Sequence, residues 1–532
     1  MNRFSHSVVG AVATAVLLSS SMMSRASDGA SGVSLAWSAS TASNPVPTCV
    51  LLATENDATA SGWQTKLNAL GVTTARIQGA LRKENPAACG QRAARLARAQ
   101  ADARGLNRFG ILADTSGSRL ALLLATSSQT PAYEAKDATD QLECHLDFAC
   151  VDAPDDFVEG GSSGVALGKG DQEEPDAALI QDFSFDDKTC PLWIAQRADA
   201  GSHWTATLLY RKMKIFLGKP SELHLYGPHE SGCRIDRATE FMKQIGMLGE
   251  LAPAVDHKTV HADDADRATC EKEFIWPEGK VPNPTGTSYE PPAKGQTPYI
   301  EWHLPKTKTT DAILIVYSGG SYMSSDPNST EVAPVRRRLN ALGMTVVTLH
   351  YRTMGTTTQG HARAWQDVQR AIRLVRSKAA SKGLDPNRIG IMGSSAGGHM
   401  TLAVATGSQS KLYEPVDDVD TLSAAPQWAV AVYPAYVISG ACNATRIAPV
   451  TREFQFDDRT PPILFLHGDE DNWTPMGSVK TLEKLQRNGV EAELHVFAKN
   501  AHVFMRKVSP GTGAYHYIDR IWDFLSAHGF NR

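Results

Sequence analysis

The chain has 532 residues, 42% of them hydrophobic and 21% charged, with a formal net charge of −4. This is room for two to four domains, with the composition of a folded globular chain rather than a disordered one. The small negative balance argues against nucleic acid or an anionic membrane as the main partner.

Residues 1–26 read as a signal peptide. Arg3 supplies the positive start, Val8 to Leu18 is apolar, and Ser24-Arg25-Ala26 offers small residues where a signal peptidase reads. The apolar run is too short for a spanning helix, so the expected location is secreted or periplasmic, with no membrane contact after signal removal. Eight cysteines (49, 89, 144, 150, 190, 233, 270 and 442) contain no CxxC pair, which argues against a zinc ribbon. An even count in an exported chain predicts disulfides, mainly in the first half.

Residues 27–48, rich in Ser, Ala, Gly and Pro, read as a leader into the first strand, Cys49 to Ala53. Helices are expected over Trp63 to Gly71, over the Ala/Arg-rich Ala93 to Arg104, and over Arg119 to Thr126. Strands are expected at Phe109 to Ala113, Pro191 to Ala195 and Glu222 to Tyr226, with a helix over Trp204 to Phe216 and a polar loop over 152–176. Residues 251–298, with an acidic patch at Asp263-Asp264-Ala265-Asp266 and repeated prolines, form a linker and lead-in. Regular alternation follows. The strands are Ile313 to Tyr317, Met344 to Leu349, Ile389 to Met392, Trp428 to Tyr433, Ile463 to Leu466 and Glu493 to Phe497. The helices are Ala364 to Lys382, Ala396 to Ala405, Gly477 to Arg487 and Tyr515 to Ala527. Such alternation means α/β with a parallel sheet.

The halves resemble each other. Leu67-Asn68-Ala69-Leu70-Gly71 recurs as Leu339-Asn340-Ala341-Leu342-Gly343, and Arg108-Phe109-Gly110-Ile111 as Arg388-Ile389-Gly390-Ile391. Glu222-Leu223-His224 recurs as Glu493-Leu494-His495. The order is kept, which predicts an internal duplication.

Chemistry concentrates in the second half. Gly393-Ser394-Ser395-Ala396-Gly397 follows an apolar strand and precedes a small-residue helix. This is the pattern that sets a serine on a sharp strand-to-helix turn. A serine hydroxyl needs a base within reach and an acid to orient that base. Asp469, Glu470 and Asp471 stand just past one strand end and His502 just past the next, in the chain order Ser, acid, His. A developing oxyanion needs backbone N–H donors. Ala396 offers one, and Ser318-Gly319-Gly320-Ser321-Tyr322 is the glycine loop that would offer the rest. The same alignment sets Thr115 against Ser395, Ala200 against Asp471 and Ser231 against His502, so the first copy lacks all three groups.

With Trp276-Pro277-Glu278-Gly279, Tyr351-Arg352, Asp367 before Arg370-Ala371, His399 and His467-Gly468, these motifs make residues 272–530 resemble the α/β-hydrolase esterases grouped with acetyl xylan and feruloyl esterases, related to hormone-sensitive-lipase-like enzymes. The resemblance implies Asp471 rather than Asp469 as the acid, an oxyanion hole from Gly320, Ser321 and Ala396, and esters of plant carbohydrate as substrates. It departs from the family at Ser321, where a third glycine is usual, and at Asn500-Ala501 before His502. Tyr351, Arg352 and Asp367 read as structural, and His399 as packing behind the elbow.

The expected organisation is therefore a degenerate α/β-hydrolase-like domain at 30–250 and a catalytic α/β-hydrolase domain at 299–532. The expected function is serine carboxylic-ester hydrolysis by Ser395, His502 and Asp471, without metal or cofactor, on small acetyl or feruloyl esters of carbohydrates. The alternatives are a prolyl-oligopeptidase-type peptidase, or a binding protein whose first half recognises substrate or partner.

Overall fold

The computed structural model describes residues 25–27, 33–79, 85–162, 177–198, 203–228, 234–256, 270, 272–353, 360–408, 410–439 and 448–532. Most of the expected signal, the acidic patch at 263–266, Ala200, Ser231, Cys233 and Cys442 lie outside them. The chain divides into two compact units, residues 1–151 with 183–190, and residues 152–182 with 191–532.

The first unit contains β1 (Arg25–Ser27), β2 (Ser34–Ser38), β3 (Thr48–Ala53), α1 (Asp57–Ala69), β4 (Thr73–Gln78), α2 (Pro86–Ala99), α3 (Ala101–Arg104), β5 (Arg108–Ala113), α4 (Ser118–Thr126) and β6 (Phe148–Asp152). The strands lie in the order β1-β2-β4-β3-β5-β6. β1 and β2 run antiparallel to their neighbours, and β4, β3, β5 and β6 are mutually parallel. β3 is buried at every position, as expected for a strand covered on both faces. Asn56 and Asn85 cap α1 and α2 by accepting from Thr59 and Ala88, and Pro86 sits where its missing N–H costs nothing. The expectation of a leader over 27–48 is corrected: Ser34–Ser38 is a strand, its buried Leu35, Ala36 and Trp37 held by five pairs with β4. The Ser/Ala-rich surroundings mask this short apolar core.

The second unit contains β7 (Leu192–Arg197), α5 (Trp204–Arg211), β8 (Ser221–Tyr226), α6 (Ile235–Gln244), β9 (Val255–Asp256), β10 (Lys272–Phe274), β11 (Tyr299–His303), β12 (Ile313–Tyr317), α7 (Ala333–Ala341), β13 (Thr345–His350), α8 (Gly360–Ala379), β14 (Ile389–Ser394) and α9 (Ala396–Thr406). It continues with β15 (Trp428–Val432), β16 (Ile463–Gly468), α10 (Met476–Arg487), β17 (Ala492–Phe497), β18 (Lys507–Val508) and α11 (Tyr517–Ala527). Its main sheet has the order β7-β8-β17-β16-β15-β14-β12-β13-β11-β10. β13, β12, β14, β15, β16 and β17 are parallel, and β11 closes one side antiparallel. On the other side β8 pairs antiparallel with β17, setting His224 opposite His495. This pairing carries residues 191–250 into the second compact unit. The helix expected over Trp204 to Phe216 is α5 followed by a wide π-helical turn at Lys212–Leu217.

The order β11-β13-β12-β14-β15 repeats β2-β4-β3-β5-β6, with the same directions. Even a local crossing recurs. A side chain at Gly390 would strike Trp428, and one at Gly110 would strike Phe148, at the same register. This mixed, helix-covered sheet is the α/β-hydrolase arrangement expected from the resemblance.

Among the described residues, which leave out Cys233 and Cys442, no disulfide joins any cysteine pair. Cys49 lies in the middle of the sheet, and burial pushes its thiol up to about 12. Among the described residues no helix is long and apolar enough to cross a membrane.

Candidate active site

β14 is buried along its whole length and leads directly into Ser395, which takes φ 54° and ψ −119° before α9 begins at Ala396. A non-glycine residue at positive φ is costly, of the order of 1–3 kcal/mol, and persists only where its surroundings enforce it. Here the Ser395 N–H donates to Val432 O at 2.9 Å and its carbonyl accepts from His399 N at 3.0 Å. The flanking glycines are steric necessities. A Cβ on Gly393 would lie 2.4 Å from Gly397, and one on Gly397 would lie 2.7 Å from Ser318 O. α9 is buried on all sides, which explains its Ala/Gly composition.

Ser395 Oγ lies 2.8 Å from His502 Nε2, and His502 Nδ1 lies 2.8 and 2.9 Å from the two Asp471 oxygens. Asp471 is 5% exposed. Burial alone would raise its pKa, but the His467 and His502 rings beside it outweigh this and hold the carboxyl well below the usual range. The Trp473 N–H also donates to it at 2.8 Å. Asp469 is turned away. It accepts from Tyr210 Oη at 2.8 Å and pairs with Lys214 at 3.2 Å. Thus of the three neighbouring acids only Asp471 meets the histidine. The Tyr433 ring packs on His502 with centroids 5.0 Å apart.

The loop after β12 carries Gly320 at φ 109°, Ser321 at 54° and Tyr322 at 60°. A Cβ on Gly320 would strike Ser324 Oγ, so this position tolerates only glycine. Ser321 keeps the backbone course despite having a side chain. Tyr351 Oη donates to Gly319 O at 2.9 Å from beneath. The Gly319 N–H donates to Glu331 at 3.0 Å, and Ser394 Oγ donates to the same carboxylate oxygen at 2.6 Å. Arg506 reaches the other Glu331 oxygen at 3.1 Å. Gly320 and Ser321 therefore follow a firmly anchored strand end, near Ala396 at the start of α9.

Arg352 is 2% exposed and grips Asp367 through Nε and Nη2, while Trp276 Nε1 donates to Asp367 at 2.7 Å. These residues anchor the lead-in to the sheet, the structural role expected of them. Glu331 and Tyr433 were not singled out in sequence. Glu331 follows Gly319, whose N–H it accepts, by 12 residues, a spacing with no periodic signal. His467 was visible in His-Gly, but only its 3.1 Å approach to Asp471 reveals a use.

Residues 300–439 match the BD-FAE family, a family of esterases. The chain is 24% identical over 250 residues to endo-1,4-beta-xylanase B of Butyrivibrio fibrisolvens, covering 43% of this chain and 37% of that protein. It is 26% identical over 212 residues to an acetylxylan esterase of Xylanibacter ruminicola, covering 38% and 42%. It thus spans less than half the length of either relative. Among solved structures it is similar to an acetyl ester-xyloside bifunctional hydrolase from Caldicellulosiruptor lactoaceticus, at 25% identity and TM-score 0.41, covering 49% of this chain and 97% of that one.

Proposed function

We propose that this chain is an exported serine esterase. The observation that carries the reading is the unbroken line from Ser395 Oγ through His502 to Asp471, with every link at 2.8 Å. His502 accepts the serine proton as Oγ attacks the ester carbonyl, then donates it to the leaving alcohol. Asp471, held ionised, keeps Nδ1 protonated and stabilises the imidazolium as it forms. Gly320, Ser321 and Ala396 supply backbone N–H donors to the oxyanion. His502 then activates water, which releases the acid and restores Ser395.

Small acyl esters of carbohydrate, acetyl or feruloyl, are the substrate class this reading favours. Its support is the BD-FAE match and the likeness to an acetylxylan esterase. Residues 30–250 are read as a degenerate copy without chemistry, and residues 1–26 as an export signal. The deciding experiment is a panel of 4-nitrophenyl acetate, acetylated xylan, methyl feruloate and a proline 4-nitroanilide, with wild type and Ser395→Ala. Ester cleavage lost in the variant supports the proposal. Ester cleavage retained by pure Ser395→Ala, or release of the anilide alone, overturns it. Mass analysis of the exported protein checks for a mature end near residue 27.

A further inference from the structure

Gly320, Ser321 and Tyr322 form three successive left-handed residues, two of them bearing side chains. Such a run does not hold itself. Tyr351 and Glu331 fix the residues before it. What fixes its far end is the Tyr322 side chain, which is fully buried. Trp365 Nε1 donates to Tyr322 Oη at 3.2 Å, and Tyr322 Oη lies 2.7 Å from His399 Nδ1. His399, also fully buried, reaches Glu453 Oε1 through Nε2 at 2.6 Å. Thr451 Oγ1 donates to the same oxygen at 3.0 Å.

The donors and acceptors run in one direction. The indole N–H can only donate, so Tyr322 Oη accepts from it and turns its own proton to Nδ1. His399 then carries its proton on Nε2 and donates it to the Glu453 carboxylate. Each N–H and O–H on the path then has one acceptor, and the phenol stays neutral. Burial holds the Tyr322 phenol far above its usual pKa. Burial would raise the pKa of Glu453, but its hydrogen bond to His399 outweighs this and keeps the group ionised.

His399 lies one helical turn after Ser395, on the helix whose first N–H is Ala396. The loop donors stand at Gly320 and Ser321, beside Tyr322. We infer that Tyr322, His399 and Glu453 are positioning residues that gauge the oxyanion hole, tying its loop donors to the helix that bears the third donor and the nucleophile. This deepens, and rests on, the esterase reading above. A side chain is required at position 322 because the tie needs a hydroxyl, and the strain at Ser321 and Tyr322 is sustained by that bond.

The test uses the full chain and 4-nitrophenyl acetate. Tyr322→Phe and His399→Leu are each expected to lower kcat about 10- to 100-fold, the scale of a misplaced oxyanion donor, with KM within two-fold of wild type. Phosphorylation of Ser395 by diethyl 4-nitrophenyl phosphate, which also places an oxygen in the hole, slows by a similar factor. The double variant is no slower than the worse single one, because both break one tie. Glu453→Gln keeps an acceptor for His399 and retains at least a third of kcat, whereas Glu453→Leu does not. A kcat within two-fold of wild type in Tyr322→Phe overturns the inference, and so does a loss expressed as raised KM. Tyr322→Phe removes a single oxygen and decides the matter should His399→Leu fail to fold. A wild type that neither cleaves the ester nor takes the phosphoryl group on Ser395 overturns the esterase reading itself, and this inference with it. An active wild type with indifferent variants overturns the inference alone.

Discussion

After β5, the chain enters a turn in which Asp114 accepts from Ser116 Oγ at 2.5 Å and from Thr54 Oγ1, and the Gly117 N–H bonds back to Asp114 O. α4 starts only at Ser118, and Thr115 sits in that turn. After β14, at the same place in the duplicated layout, the chain passes directly from strand to helix through Ser395 at φ 54°. Elsewhere the copies agree closely. Arg92 holds Asp137 and Asp140 at 2.7 and 2.6 Å, and Arg370 holds Asp417 and Asp420 at 2.6 and 3.0 Å. Tyr133 donates to Asp140, and Tyr413 donates to Asp420. Arg95 Nε reaches Leu142 O and Arg373 Nε reaches Leu422 O, both at 2.9 Å. Gln91 and Gln369 likewise hold Thr130 O and Ser410 O.

The scaffold bonds are therefore kept, and the strain at the elbow is not. Nine described non-glycine residues have positive φ. Eight of them lie between Ser321 and Val503, among them Ser395 itself, and the other, Ala153, stands directly after β6 as Tyr433 stands directly after β15. Strain of this kind is retained where a constellation needs it. The corresponding place in the first half is an ordinary turn whose polar groups satisfy one another.

The comparison can be broken or sharpened by experiment. The largest expected effect is at the two elbow positions. Ser395→Ala should lower kcat for 4-nitrophenyl acetate at least ~10⁴-fold, while Thr115→Ala leaves it within two-fold. Activity that follows Thr115 would reverse the assignment of the copies. Next, Asp471→Asn should cost ~10³- to 10⁴-fold in kcat, because Nδ1 loses its ionised acceptor. Asp469→Asn should leave kcat within about ten-fold, since its partners are Tyr210 and Lys214. Equal losses at the two acids would mean that the acid has been misassigned.

The shared scaffold gives the third test. Arg370→Ala, which removes the partner of buried Asp420, should lower unfolding free energy by about 3 kcal/mol. Arg92→Ala should lower it in the same way, as read from denaturant midpoints. An indifferent Arg92 would show that the first copy no longer relies on the bond it has kept. The smallest effect concerns β8 and β17, where His224 and His495 meet through Nδ1 at 2.8 Å, flanked by Glu222 and Glu493. Burial raises Glu493 to about 7. Between its unfolded value near 4.5 and 7 the folded chain binds more protons, so this group costs stability as pH rises through that window. Glu493→Gln escapes the penalty and should gain stability relative to wild type from pH 5 to 8. A constant difference across that range would show that Glu493 does not titrate there.

Much of this was legible in the sequence. The strands from Ile313 onward were readable because buried parallel strands are short continuous apolar runs. The elbow was readable because steric crowding demands glycine on both sides of Ser395. The duplication was readable because its matching segments keep their order. Boundaries shifted by a few residues, and elements with mixed composition were missed. Tyr299–His303 pairs at the sheet margin, and the Arg-rich Ala333–Ala341 hides its buried face behind charge.

The sequence by itself determined the α/β class, the chain order serine, acid, histidine, and that Thr115 stands where the internal alignment sets Ser395. These are local patterns, set by strand burial, turn sterics and chain order. The tertiary structure added the contacts behind the acid that the resemblance implied, Asp471 meeting His502 while Asp469 turns to Tyr210 and Lys214, and showed that Glu331 and Tyr351 anchor the glycine loop. It alone revealed the line from Trp365 through Tyr322 and His399 to Glu453. Hydrogen bonds between residues tens of positions apart leave no periodic trace in the chain. They exist only once the sheet has brought its strand ends together.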